Sequence, residues 1–271
     1  MSLSEKEKSA IRKDERIEKC GLYFYPIEMS DYEMFLFCKD AITLRMGTLP
    51  VKYLAMDFMT ALLNFEIDSI RQKGENAGLF DRVMRFLHLS LRIGYDAKTA
   101  ADELVLAKEG DGVKIDKIAL MQNGVKRDIS PLAFSSKIRP LIAAQNGLEL
   151  PNENDNIELV RAAEMKKELG ESGVKLKSST DDLIASVAFQ SRVREKDVLL
   201  WTVREFEARR RAIERDKRFM LCGGAEMGGM VSFKSGNPAP SWCLDALDDG
   251  LGTMTLSELQ DKMKGGVEGK S

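Results

Sequence analysis

A single histidine, His88, sets the first bound on the chemistry open to this chain. Without a second histidine, no two-His metal site can form. At helical spacing His88 falls with Asp81, Arg85 and Arg92, on the polar side of a segment whose apolar side carries Leu87 and Leu91. That periodicity reads as a solvated face residue rather than a catalytic base. The four cysteines, Cys20, Cys38, Cys222 and Cys243, contain no C-x-x-C pair and read as reduced thiols. The glycine run from Gly223 to Gly229 lacks the Lys-Ser or Lys-Thr of a phosphate cradle and follows a helical pattern, so it reads as a helix stop leading into a loop. Asp181 and Asp182 follow Ser179-Thr180, where acidic groups favour the positive end of a helix. Asp248-Asp249 are neighbours in sequence, which does not make them converge on a pocket. No catalytic residue, cofactor site, metal ligand or small-molecule substrate is assigned, and the expectation is a protein without enzymatic activity.

Surfaces offer more than single residues. The segment 180–218 has the outline of two short helices followed by a longer one, the last bearing Arg204, Arg209, Arg210, Arg211, Arg215, Lys217 and Arg218. A helix-turn-helix reading would make it a nucleic-acid contact. The same helix carries Glu205, Glu207, Glu214 and Asp216. The pairs Glu205–Arg209, Glu207–Arg211 and Glu214–Arg218 stand in the favourable i,i+4 order, each contributing about 0.2–0.5 kcal/mol. A salt-bridged solvated face and a surface for an acidic partner segment are the competing readings. Methionines gather in the N-terminal third (Met29, Met34, Met46, Met56, Met59), where adaptable partner binding competes with plain core filling.

Composition narrows the classes further. Lys+Arg 41 against Asp+Glu 43 gives a formal charge of -2, which removes the simplest electrostatic case for nucleic acid or an anionic membrane. The N-terminal stretch is charged and lacks the apolar core of a signal peptide, and no apolar run approaches the roughly 18–20 residues that span a bilayer. A cytoplasmic location is expected.

The elements that must position these residues follow from pattern. Lys19–Ile27 reads as a short strand or extended arm. Ser30 and Glu33 have capping-box spacing, and a short helix should run through Cys38, burying Met34, Phe35 and Phe37 or Cys38. A helix from Val51 to about Gly74 places Val51, Leu54, Phe58, Leu62 and Phe65 on one face. Its antiparallel partner spans about Gly78–Ile93, closed by Gly94. Glu103–Leu106, Val113–Met121 and Val125–Ile129 read as strands, with Asn123-Gly124 as hairpin turn. Ser130-Pro131 starts a helix that should bury Leu132, Ile138 and Leu141 or Ile142, with a kink at Pro140. A charged helix is expected over 157–169, a linker over 171–179, a short helix over Asp181–Ser191 and a helical run over Glu195–Leu221. A strand over Met230–Lys234 leads into an irregular tail. The fold class is α+β, predominantly α-helical. Its parts are a helical N-terminal part (1–100), a β-hairpin insertion with helices (101–170), and, past the linker, a helical C-terminal part (180–271).

Three stretches carry a family resemblance: PIEMSDYEMFLFCKDAITLRMGTLPVKYLAMDFM from Pro26, SSKIRPLIAAQNGLELP from Ser135, and LLWTVREFEARRRAIERDKRFML with GGMVSFKSGNPAPSW ending at Trp242. In this order the chain resembles tail assembly chaperone-type proteins from the tail-gene clusters of phages and prophages of Gram-positive bacteria. The resemblance implies a protein of the host bacterial cytoplasm that binds the tape measure protein before the tail tube polymerises, and is then displaced by tail tube protein. It implies no cofactor and no membrane partner, and leaves self-association open. Candidate protein-binding residues are Met56 and Met59 in the N-terminal part, and Trp201, Phe206, Arg209, Arg210 and Trp242 in the C-terminal part. Core packing of the same apolar residues is the competing expectation. The alternatives are a nucleic-acid-binding phage regulator using 180–218 and a structural tail component.

Overall fold

The computed structural model describes residues 3–73, 78–96, 102–109, 112–153, 162 and 179–229. The expected helix at 157–169, the linker at 171–178, the strand Met230–Lys234 and Trp242 lie outside the described residues, apart from residues 162 and 179. The fold is α+β and predominantly helical, as expected. The chain divides into two compact units, Met1–Glu153 with Ser178–Arg210, and Asn154–Lys177 with Arg211–Ser271.

The first unit opens with α1 (Glu5–Arg12), started by a complete capping box between Ser4 and Glu7. A hairpin follows, β1 (Ile17–Lys19) and β2 (Leu22–Phe24), with Lys19 paired to Leu22. Its two-residue turn places Cys20 at φ 54° and Gly21 at φ 76°, the doubly left-handed geometry that matches strand twist. The arm expected at 19–27 is thus half of a hairpin whose other strand lies upstream. After a 3-10 turn, Met29–Asp31, comes α2 (Tyr32–Ile42), which buries Phe35 and Cys38 and leaves Met34 and Phe37 partly exposed. The capping box expected at Ser30 and Glu33 does not form. The 3-10 turn moves the N-cap to Asp31, which makes no side-chain cap bond.

The helix expected from Val51 begins later. A 3-10 turn occupies Val51–Tyr53, Val51 and Leu54 are exposed, and α3 runs Phe58–Lys73. Asp57 starts it, its side chain accepting from the Thr60 N–H at 3.0 Å. α4 (Leu79–Leu91) packs on α2 and α3 and is closed by Arg92, not by Gly94. Arg92 takes the left-handed φ of 53°, and its N–H returns to the His88 carbonyl. A three-stranded antiparallel sheet follows in the order β3 (Leu104–Glu109), β4 (Gly112–Gln122), β5 (Val125–Ile129), with the expected Asn123-Gly124 turn between β4 and β5. Ile115, Ile118 and Leu120 face the core from β4.

Ser130 caps α5 (Pro131–Ala133) as its pattern foretells. Leu132, however, is exposed, while Ile138, Leu141 and Ile142 are fully buried. Pro140 produces a change of helix register: Phe134–Ile138 is a π turn, in which the Arg139 N–H reaches back to the Phe134 carbonyl, before α6 (Arg139–Gln145). Proline offers no N–H and crowds the carbonyl four residues back, and the wider turn accommodates both effects. Later, α7 (Thr180–Ser191) carries a capping box between Ser179 and Asp182. The run expected from Glu195 is broken into α8 (Glu195–Val198) and α9 (Val203–Met227). Thr202 interrupts it, its side chain accepting from the Glu205 N–H at 3.1 Å to restart the helix. α9 also continues through Gly223-Gly224 to Met227, where a helix stop was expected.

Buried amides hold these elements in place. Gln122 forms a two-way pair with the Tyr23 backbone: the Tyr23 N–H donates to Oε1 at 2.8 Å, and Nε2 donates to the Tyr23 carbonyl at 2.8 Å and to that of Leu91 at 3.0 Å. Asn64 does the same for Val113, donating to its carbonyl at 2.6 Å and accepting from its N–H at 3.0 Å. Asn146 accepts from the Ile27 N–H at 2.8 Å. Each such side chain acts as a short piece of strand between elements that are not hydrogen-bonded neighbours, satisfying groups that would be costly to bury alone.

Candidate functional site

His88 is not on a solvated face. It is fully buried, with Nε2 2.8 Å from Glu103 Oε2 and Nδ1 3.3 Å from the Gly94 carbonyl oxygen. A carbonyl oxygen only accepts, so where Nδ1 carries the proton it donates to Gly94. Tyr95 packs edge-on against the imidazole at 5.2 Å, and its hydroxyl donates to Asp81. Asp81 also accepts from Arg85 at 2.6 Å, whose guanidinium covers the Tyr95 ring. Polar spacing on one helix misread this residue because α4 is covered on several sides. The group that satisfies His88 arrives from the start of β3. The cluster joins α4 to the sheet.

A second buried ion sits at the C-terminus of α2. Arg139 donates to the carbonyls of Ile42 at 2.8 Å and Leu44 at 2.6 Å while lying over the Phe58 ring at 3.8 Å. Burial pulls its guanidinium down to about 10, which leaves it charged at neutral pH and suited to a helix C-terminus. Its work is structural.

Of the candidate binding residues, the structure assigns two to the core. Met59 and Phe206 are fully buried, and Phe206 meets Tyr32 edge to face at 5.6 Å. Neither is available as an anchor. Met56 is half-buried, its sulfur 3.8 Å from the Asn64 amide. Trp201 is half-buried, with the Arg209 guanidinium 4.1 Å from its ring. Arg209 also pairs with Glu205 at 2.8 Å, and Arg210 with Glu207 at 2.9 Å. Glu207 in turn accepts from the Tyr32 hydroxyl at 2.6 Å, a bond that together with burial raises the Tyr32 pKa. The start of α9 is thereby fastened to α2.

The backbone holds Trp201 in place. The Met29 N–H donates to the Trp201 carbonyl and the Val203 N–H to the Ile27 carbonyl, both at 2.9 Å, around an antiparallel bridge between Glu28 and Thr202. Beside this bridge, α7 and α8 pack on one another and turn Ile184, Val187, Ala188 and Val198 inward. Phe189 of α7 and the turn that follows α8 leave three large apolar groups in solvent: Phe189 at 80% exposure, Leu200 at 73% and Leu199 at 39%. These were not among the candidates. Their signal was present in Leu199-Leu200-Trp201 and in Ala188-Phe189, because consecutive residues on a helix diverge by about 100° and cannot all face one core.

A shallow cleft of 440 Å³ lies between Tyr25, Leu91, Arg92, Met121 and Gln122. Two of its polar side chains are already committed: Gln122 to Tyr23 and Leu91, Arg92 to Glu28 and to the Tyr25 ring. Among the described residues no group of His, Cys, Asp and Glu could hold a metal ion, and no helix is long and apolar enough to cross a membrane. Compared with protein-family models, curated proteins and solved structures, the chain has no significant match.

Proposed function

We propose that this chain is a phage or prophage tail assembly chaperone without enzymatic activity, which acts in the host bacterial cytoplasm. In this reading it holds the amphipathic helices of the tape measure protein until tail tube protein displaces it. The observation that carries the reading is the solvent exposure of Phe189 on α7 and of Leu200 in the turn after α8, beside elements that are themselves firmly placed. Ser179 and Asp182 cap α7, the Glu28–Thr202 bridge anchors the segment after α8, and Phe206 seats α9. Large apolar side chains on a rigid support suit an amphipathic helix laid across them. Burying a Phe and a Leu contributes about 1.5–3 kcal/mol each. Set against the entropy of association, this suits a client that must later be released.

The ion pairs of Arg209 and Arg210 with neighbouring glutamates, and the stacking of Arg209 on Trp201, offset these two charges and weigh against a nucleic-acid contact there. Co-expression with a phage tape measure protein tests the proposal. The two should co-purify, and Phe189→Asp with Leu200→Asp should abolish this while leaving the circular dichroism unchanged. Failure to co-purify, with normal tails assembled in the absence of this gene, would overturn it. A salt-dependent shift of DNA would favour the regulator, and stoichiometric presence in purified particles a structural tail component.

A further inference from the structure

In the three-stranded sheet, β3 and β5 are the outer strands, and their free edges differ. β5 carries the exposed residues Lys126, Arg127 and Asp128, charges of the kind that keep another strand from pairing. β3 opens with Leu104-Val105-Leu106-Ala107, without a charge, and Val105 is 37% and Leu106 51% exposed. A bulge in an edge strand can also guard it. Here the extra residue is Asp116 of β4: Val105 pairs with Lys117 and Leu106 with Ile115, so β3 itself stays regular. Backbone alternation defines what this edge offers. The Ala119 N–H donates to the Glu103 carbonyl at 2.7 Å, which turns Glu103 toward β4. Successive residues alternate in an antiparallel ladder, so Leu104 and Leu106 aim their N–H and C=O groups away from β4. No other described residue bonds them there.

We propose that a second copy of this chain supplies the missing strand, the two β3 edges pairing antiparallel about a two-fold axis at Val105. A second copy fits because it presents the same uncharged strand with the same alternate donors and acceptors. In this register Leu104 meets Leu106 of the partner subunit, and Val105 meets Val105 of the partner subunit. About four main-chain hydrogen bonds form, and no like charges are brought together along Leu104–Ala107. The arrangement closes as a dimer. Pairing β3 with β5 of another copy would instead set the apolar edge against Lys126, Arg127 and Asp128 and continue without end. Edge pairing of this length buries less than the roughly 1,200–2,000 Å² of a stable interface, so the dimer is reversible and populated in the upper micromolar range. The inference does not depend on the chaperone reading.

Sedimentation velocity on the full chain, from about 1 to 500 µM, should show a monomer–dimer equilibrium. Leu106→Pro tests the edge itself, because the N–H it removes points away from β4 and proline is tolerated at such a position. It should raise the dimer dissociation constant at least about tenfold, since half of the new hydrogen bonds are lost, and leave the melting temperature unchanged. Should Leu106→Pro unfold the chain, Leu106→Lys makes the same test by adding a charge to the edge. Register is read by oxidation. In the chain carrying Cys20→Ser, Cys222→Ser and Cys243→Ser, with Cys38 buried, Val105→Cys should give a disulfide-linked dimer. Facing residues of a non-hydrogen-bonded pair lie about 4.5 Å apart at Cα, within disulfide reach. Lys126→Cys on the other edge should not link. A monomer at every concentration, a dimer indifferent to both Leu106 variants, or equal linking by Val105→Cys and Lys126→Cys would each overturn the proposal.

Discussion

Two phenylalanines on neighbouring elements make a controlled contrast. Phe206 is fully buried at the start of α9, edge-on to Tyr32, and Phe189 on α7 is 80% exposed. A buried phenylalanine removes some 150–250 Å² from water, about 4–6 kcal/mol at 25 cal/mol per Å², an upper bound because the unfolded chain already hides part of it. Truncation in a packed core costs about 3–5 kcal/mol once the residual cavity is included. Phe206→Ala should therefore lower the unfolding free energy by about 4 kcal/mol, seen as a reduced urea midpoint with unchanged slope in circular dichroism. Phe189→Ala should stay within about 0.5 kcal/mol of the parent. The placement of α9 is wrong if Phe206→Ala costs less than about 1.5 kcal/mol, and the exposure of Phe189 is wrong if the two variants lose similar amounts.

Other outcomes follow from the polar interior. Gln122→Leu keeps the volume but strands the Tyr23 N–H and the carbonyls of Tyr23 and Leu91. A loss of about 3 kcal/mol is expected, with faster hydrogen exchange at Tyr23. Burial pushes the Cys38 thiol up to about 11 from an ordinary 9.0. The folded state therefore holds the proton more tightly, and this contribution to stability is full below pH 9 and lost between pH 9 and 11. Cys38→Ala should flatten the pH dependence of the melting temperature in that window relative to the parent, whatever its effect at neutral pH. A maleimide should label Cys20 rapidly in the native chain and Cys38 only after unfolding.

Where the sequence was a sound guide, the signal was local. The Asn123-Gly124 hairpin, the Ser130-Pro131 helix start and the acidic cap of α7 depend on residues within four positions of each other, and all appear. What escaped was decided at a distance. His88 lies on a polar stripe of its own helix, yet Glu103 of another element makes its burial affordable. Val51 and Leu54 continue the period of α3, but a separate turn carries them. Leu199 and Leu200 fit a continuous helix, and only the pairing of Thr202 with Glu28 explains the interruption there. Gly223-Gly224 weakens a helix by about 1 kcal/mol per residue without having to end it. For the candidate surface, residue type pointed to Met59 and Phe206, which are buried, whereas Phe189 and Leu200 are exposed.

The bridge at Glu28 and Thr202 also fixes an order of assembly. Its neighbouring contact, the Tyr32 hydroxyl on Glu207, closes a separation of 175 positions. On a chain emerging from the ribosome, the hairpin, α2–α4 and the sheet can settle while the strand-like segment at Ile27–Met29 still lacks its partner. Contacts of such long sequence separation form late. Trp201, Leu199 and Leu200 gain their support only after most of the molecule has been synthesised, so an unfinished copy would lack this placed apolar surface.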